Sequence, residues 1–314
     1  MTRRVGWLDL SGGASGDMLL GALVGAGVPL DVLAGAVDVL GLPIRLEARE
    51  VRRAGLAAVK IDVIAPADEA VRAWADVREL LVSAPLAGPV RERAMATFAA
   101  LAAAEARVHG IEANEVHFHE VGALDAIADV VGASAGLVHL DLAELVATPI
   151  ALGGGRARTA HGVLPIPGPA VLELLRAARA PAAGGPVQVE LCTPTGAAIV
   201  VTAATGYGPL PLSRVIAVGA GAGTRDLPGR PNIVRLVVGE TLEDTSGNPA
   251  MPRSTSWARP SATASPAAGY AHAGHSHSDY DHGRRSPGGH DHDSHDRDSH
   301  DRDSHDHASV IPRP

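Results

Sequence analysis

The residue types best suited to chemistry gather in one short stretch, His117-Phe118-His119-Glu120, followed by Asp125 and Asp129. Alternate side chains of an extended segment share a face, so His117 and His119 point the same way. Asp125 and Asp129, four apart, share one face of the helical pattern that follows. Two imidazoles and two or three carboxylates, Glu120 among them, can then converge. Asp125 also has an ordinary explanation, because a carboxylate in a first helical turn gains roughly 0.3–1 kcal/mol from the helix dipole without any ligand. Asp129 lies among Ile127, Val130, Val131, Gly132 and Ala133. An unpaired carboxylate buried there is costly, so it should be paired, hydrogen-bonded or metal-bound. The stretch reads as a metal or catalytic site, with a structural His–Asp network as the alternative. Imidazoles with carboxylates suit zinc, nickel or iron rather than magnesium alone and do not choose among them.

Other segments carry weaker signals. Ser11-Gly12-Gly13-Ala14-Ser15-Gly16-Asp17 falls between a strand-like run and a helical pattern, where backbone N–H groups and the helix dipole favour anions. It has neither the lysine of a Walker loop nor dinucleotide-fingerprint spacing, so anion site and ordinary tight turn both fit. Asp9, ending the strand-like run, is placed for catalysis or for capping. His161-Gly162-Val163-Leu164-Pro165 follows Gly153-Gly154-Gly155-Arg156, read as a flexible stretch that lets a His and an Arg approach a ligand. In Cys192-Thr193-Pro194-Thr195-Gly196 either threonine can be a helix N-cap, and the cysteine reads as a small buried hydrophobe more readily than as a nucleophile. Gly219 to Asp226 again puts glycines after a strand-like run, now with Arg225 able to fork onto a carboxylate or phosphate.

The elements that must position these groups are legible over the first 240 residues. Val5–Leu8 reads as a buried strand and Asp17–Ala26 as a helix, the opening of an α/β unit. Further helices are expected over 29–40, 87–109, 122–140, 167–179 and 195–204, two strands of a hairpin or meander within 44–63, and strands at 187–191, 215–218 and 233–238. The fold class is α/β or α+β, a mixed sheet with packed helices. A 46% hydrophobic composition with only 3% aromatics points to a core of small and branched aliphatics at short interelement distances. From 241 to 314 the chain nearly loses Leu, Ile and Val and repeats Asp-Ser-His-Asp-Arg at 293–297 and 298–302, then Asp-Ser-His-Asp-His at 303–307. Such a segment buries too little apolar surface to offset its ordering entropy and reads as a disordered tail.

Residues 1–240 thus form one folded domain and 241–314 a His/Asp-rich tail. That tail holds ten of the fifteen histidines: His272, His275, His277, His282, His290, His292, His295, His300, His305 and His307. Interleaved with Asp, they suit nickel, copper or zinc. A formal charge of −8 and a single lysine, Lys60, argue against nucleic acid as a partner. No apolar run approaches the roughly 18–20 residues of a membrane span, and one cysteine fits a reducing compartment, with cytoplasm as the default.

Taken in order, Asp9 with Ser11 to Asp17, Glu115 to Ala123 through Asp129, His161 to Pro165, Thr193-Pro194-Thr195-Gly196-Ala197 and Gly221 to Pro231 resemble the nickel insertion proteins of the nickel-pincer cofactor pathway. The resemblance covers residues 5–240 and continues into a His-rich segment. It implies insertion of Ni(II) into pyridinium-3,5-bisthiocarboxylic acid mononucleotide, forming a carbon–nickel bond flanked by two sulfur ligands and consuming cytidine triphosphate. On that basis His117, His119 and Glu120 face nickel, with His161 and the tail histidines as further ligands. Asp125, Asp129 or Glu120 serve as ligand or as base for the ring proton that nickel displaces. Ser11, Gly12, Ser15, Gly16, Asp17, Thr193, Thr195, Gly196 and Arg225 meet the phosphate and thiocarboxylates. The resemblance also implies a second folded half tied to nucleotide binding, on its own polypeptide where the two halves lie in separate reading frames, and an apo nickel-pincer enzyme as recipient. A non-catalytic nickel store or carrier, and a metal-dependent phosphate-handling enzyme, are the competing classes.

Overall fold

The computed structural model describes residues 2–66, 72–118, 123–159, 161–185 and 187–242. The tail histidines, His119 and Glu120 lie outside the described residues. In chain order the elements are β1 (Arg4–Asp9), α1 (Gly16–Gly25), α2 (Leu30–Asp38), β2 (Arg45–Arg53), β3 (Leu56–Ile64), β4 (Arg72–Ala73), α3 (Trp74–Ser83), α4 (Gly88–His109) and β5 (His117–Phe118). There follow α5 (Leu124–Leu140), β6 (Glu144–Ala147), β7 (Ile150–Ala151), β8 (Arg156–Thr159), β9 (Gly162–Pro165), α6 (Pro169–Ala178), β10 (Ala182–Ala183), α7 (Pro194–Ala203), β11 (Gly206–Tyr207), β12 (Ser213–Ala222) and β13 (Ile233–Thr241).

Seven strands form one mixed sheet in the order β11-β6-β1-β13-β12-β3-β2. β1 pairs parallel with β6 and antiparallel with β13, while β2 and β3 make the expected hairpin across Ala54-Gly55. Both turn residues have positive φ, 46° and 83°, which Gly55 adopts without the steric cost a Cβ brings. β8 and β9 form a separate hairpin.

The first helix fixes the layering. Its Gly21 faces the Val59 carbonyl and Gly221, and Gly25 faces Ala220. Across the contact, a Cβ on Gly221 would lie 1.8 Å from the Met18 carbonyl oxygen, and one on Gly219 2.0 Å from that of Ala22. Helix and sheet backbones therefore touch almost directly, which is the short interelement distance the composition implied. Away from the sheet, Leu20 and Leu23 fill the space left by Gly132 and Gly136 of α5, and α4 packs in turn against α5, α6 and α7. Gly221→Ala should cost about 1–3 kcal/mol of stability, because the obstacle is backbone. Gly35→Ala, in α2 where nothing lies within 4 Å, should be neutral or stabilising. Urea midpoints of the two variants check the contrast.

Two expectations are corrected. Residues 187–191 form bends with a single bridge, Glu190 to Gly153, rather than a strand. The Gly153-Gly154-Gly155 stretch is not loose: Gly154 N–H donates to Val189 O at 3.2 Å, and a Cβ on Gly153 would meet that oxygen at 1.9 Å. These glycines admit a close backbone neighbour, not a ligand. No helix among the described residues is long and apolar enough to cross a membrane.

Candidate functional site

Asp9 ends β1 buried beneath Arg235 of the paired strand β13, whose Nε and Nη2 both donate to its Oδ2, while Ser11 N–H donates to Oδ1 at 3.0 Å. Burial alone would raise this carboxyl, but the hydrogen bonds from Arg235 and Ser11 outweigh it and hold Asp9 below its ordinary range. Its role is to fasten the loop. Within that loop Gly13 N–H donates to Leu10 O, Ala14 N–H to Leu191 O, and Gly12 lies against the Ile233 carbonyl. In return Thr193 N–H donates to Ala14 O, and Gly196 packs on the Ala14 and Ser15 backbone. Two segments singled out in the sequence are thereby stitched together. Ser11, Gly12 and Gly196 serve this seam, and the turn amides of Ser11, Gly13 and Ala14 are spent on protein acceptors.

Beyond the seam a cavity of about 580 Å³ opens between the N-termini of α1, α5 and α7, strand β3 and strand β8. Ser15, Gly16, Asp17, Asp125, Asp129, Thr193 and Thr195 all line it. Thr193 is the N-cap of α7, its Oγ1 accepting from Gly196 N–H at 3.1 Å. Asp17 carries four donors: the Ser15 hydroxyl and Met18 N–H (2.8 Å) on Oδ1, and Lys60 Nζ (2.8 Å) and the Thr224 hydroxyl (3.2 Å) on Oδ2. The Lys60 side chain is 4% exposed and also donates to Ile61 O at 2.7 Å, with Asp62 3.6 Å away.

Asp129 differs. Its Oδ1 is shielded from solvent and has no hydrogen-bond partner among the described residues, and its carboxyl presses so closely on Gly16 that a Cβ there would lie 2.1 Å from Oδ2. Burial, then the charges of Asp17 and Asp125, push Asp129 well above the usual carboxylate range, with Lys60 pulling partly the other way. Its surroundings thus favour the protonated form more than an ordinary carboxyl's do.

The remaining candidates among the described residues are dispersed. Asp125 is exposed and accepts from Ala126 N–H at 2.8 Å, the helix-start role expected of it, while its side chain reaches the cavity. His117 is exposed on β5, paired with β4, and does not line the cavity; its neighbour Phe118 turns inward onto Trp74 and Phe98. His161 sits at the turn between β8 and β9, its ring 4.9 Å from that of His109, in a small cleft that shares Thr159, Glu190 and Pro194 with the main cavity. Arg225 is exposed away from the cavity and its carbonyl accepts from Asn232, so the group that reaches the cavity from that loop is Thr224. Cys192 is buried, its thiol pushed up to about 12 by burial and by Glu190, as suits a small hydrophobe. Among the described residues no group of three or more His, Cys, Asp or Glu is gathered to hold a metal ion.

Lys60, Asp62, Arg158, Glu190 and Thr224 line the cavity without having been read from the sequence. Only Lys60 left a signal there, the one ammonium of the chain set in Ala57-Ala58-Val59-Lys60-Ile61, where a buried charge demands a partner. Among the described residues the lining sets five carboxyl groups, those of Asp17, Asp62, Asp125, Asp129 and Glu190, against Lys60 and Arg158. It favours a cation over a bare phosphate at its floor.

The model of the nickel insertion protein family matches residues 7–258, a span that contains every described residue of the cavity. The chain belongs to that family. It is 53% identical over 246 residues to the pyridinium-3,5-bisthiocarboxylic acid mononucleotide nickel insertion protein of Nocardioides sp., an alignment covering 78% of this chain and 62% of that one. The protein of the same name from Geobacillus kaustophilus is 41% identical over 256 residues, with the same shares covered. This nickel insertion family member thus spans 62% of the length of those two curated relatives. No solved structure matches it.

Proposed function

We propose that this chain inserts Ni(II) into pyridinium-3,5-bisthiocarboxylic acid mononucleotide, the reaction its relatives are named for, and does so at the carboxylate-lined cavity. The observation that carries the reading is Asp129 Oδ1, a shielded oxygen without a partner at the floor of an anionic cavity. Such an atom is costly when the cavity is empty and gains a partner when a cation or donor enters. A divalent ion beside it favours the charged carboxylate, so Asp129 sheds its proton as nickel arrives and becomes the acceptor for the ring proton. The carbon–hydrogen bond breaks, its electron pair goes to nickel, and no redox change occurs.

In this reading residues 1–240 are the insertion domain and 241–314 a metal-concentrating tail. His117, His119, Glu120 and His161 hand nickel from that tail toward Asp125 and Asp129. Cytidine triphosphate is used by a second-half polypeptide, which agrees with the absence of a Walker-type lysine from the glycine loops. The product passes in the cytoplasm to an apo nickel-pincer enzyme.

The test combines purified chain, nickel, the pyridinium substrate and cytidine triphosphate, with and without a second-half polypeptide, and reads lactate racemase activity appearing in an apo-enzyme mixture. Racemase activity that depends on this chain is expected. Nickel retention with no activity under either condition would replace insertion by storage or delivery.

A further inference from the structure

The cavity poses an electrostatic difficulty for the substrate just assigned to it. A mononucleotide bearing a phosphate and two thiocarboxylates must enter a space lined, among the described residues, by five carboxyl groups. Of the two cationic groups among the described residues of the lining, Lys60 is buried and committed to Asp17, Ile61 O and Asp62. Arg158 is exposed, lines the cavity, and makes no ion pair among the described residues.

Its mounting suits a receptor. Ala157, Arg158 and Thr159 of β8 all line the cavity, and β8 is held by β9 with Arg158 opposite Val163. The turn of that hairpin is locked by Thr159, whose hydroxyl donates to Gly162 O at 3.2 Å and accepts from His161 N–H at 3.1 Å. At its base Ile166 N–H donates to Gly155 O at 3.0 Å. Arg158 therefore stands exposed on a braced arm that lines the cavity, whereas Asp129 Oδ1, in the same lining, is shielded from solvent.

Resting on the insertion reading, we propose that Arg158 receives the phosphate of the pyridinium mononucleotide and holds that end at β8 while the ring lies against Asp129. A planar guanidinium meets a phosphate through two parallel charge-assisted hydrogen bonds, a geometry that an ammonium lacks. One group thereby offsets the repulsion of the lining and sets the direction in which the substrate enters.

The test is calorimetric, on the full chain without nickel so that the tail histidines stay silent. The probes are nicotinic acid mononucleotide and its dephosphorylated riboside. The intact chain should bind the mononucleotide more tightly than the riboside. Arg158→Ala should weaken the mononucleotide roughly 10- to 100-fold and leave the riboside unchanged, and Arg158→Lys should fall between. Because the side chain is exposed, the fold should keep its circular dichroism spectrum and melting temperature. Equal mononucleotide affinity in the intact chain and Arg158→Ala would overturn the assignment to Arg158 alone. Failure of the intact chain to bind the mononucleotide would overturn the substrate reading and this assignment with it.

Discussion

Lys60→Met lowers the stability of the folded chain by about 3–5 kcal/mol at neutral pH, the expected cost of removing one partner from a buried ion pair. The ammonium is 4% exposed and the Asp17 side chain 19%, so water screens the pair only slightly. Methionine fills the volume of the lysine stem but leaves Asp17 with its negative charge, beside Asp129 and without its counter-ion. The Ser15 and Thr224 hydroxyls and the Met18 amide remain as donors, which keeps the loss below that of an isolated buried charge. Lys60→Met combined with Asp17→Asn should recover part of the loss, because both charges are then gone. Urea unfolding of the three variants measures the effect. A loss under about 1 kcal/mol for Lys60→Met would mean the pair behaves like a surface salt bridge.

The importance of Lys60 shows where the sequence is legible and where it is not. Local rules locate β1, the glycine turn and α1, since a buried run, a Gly/Ser cluster and an apolar helical pattern follow one another within 25 residues. They also locate α4, which ends where Gly110 takes a φ of 68°. β6 escaped because Leu145-Val146-Ala147 is too short a run to stand out after α5, although it is the parallel neighbour of β1. Residues 187–191 misled in the opposite sense. Their alternating Val187-Gln188-Val189 pattern is that of a strand, yet tertiary hydrogen bonds to the glycine stretch took its place.

For the site, Asp125 and Asp129 could be placed on one helix face from their spacing, and Asp129 could be marked because a carboxylate among aliphatics is costly. What no local rule supplies is the sheet order. β3 brings Lys60 to Asp17 across 43 residues, and the loop after β12 brings Thr224 to the same carboxylate across 207. The Ser11–Asp17 loop looked able to hold an anion because its amides counted as free in sequence. In the folded chain those of Ser11, Gly13 and Ala14 are taken by Asp9, Leu10 and Leu191.

Asp129→Asn should stabilise the protein at neutral pH and, on the insertion reading, reduce cofactor formation by about 100-fold or more, the usual worth of a positioned proton acceptor. Both effects come from the same buried oxygen. Burial, then Asp17 and Asp125, raise the folded-state value well above the ordinary carboxylate range. The folded protein therefore binds the Asp129 proton more tightly than the unfolded chain does. Below the unfolded value both states are protonated and the group is neutral in its effect. As pH rises through that value the unfolded chain ionises first, so folding is progressively disfavoured until pH passes the raised folded value. Asparagine cannot ionise and removes this penalty. The melting temperature of Asp129→Asn should thus exceed that of the parent chain at pH 7 and converge with it near pH 4, about where an unfolded carboxyl titrates. The amide also cannot accept the ring proton, so greater stability should accompany lost activity, the trade-off expected where an unfavourable group is kept for chemistry. Scanning calorimetry across that pH range and the apo-racemase assay read the two effects separately. A melting temperature that stays below the parent's at pH 7 would remove the buried-acid account of Asp129, whereas full cofactor formation by the folded variant would remove its role as the proton acceptor.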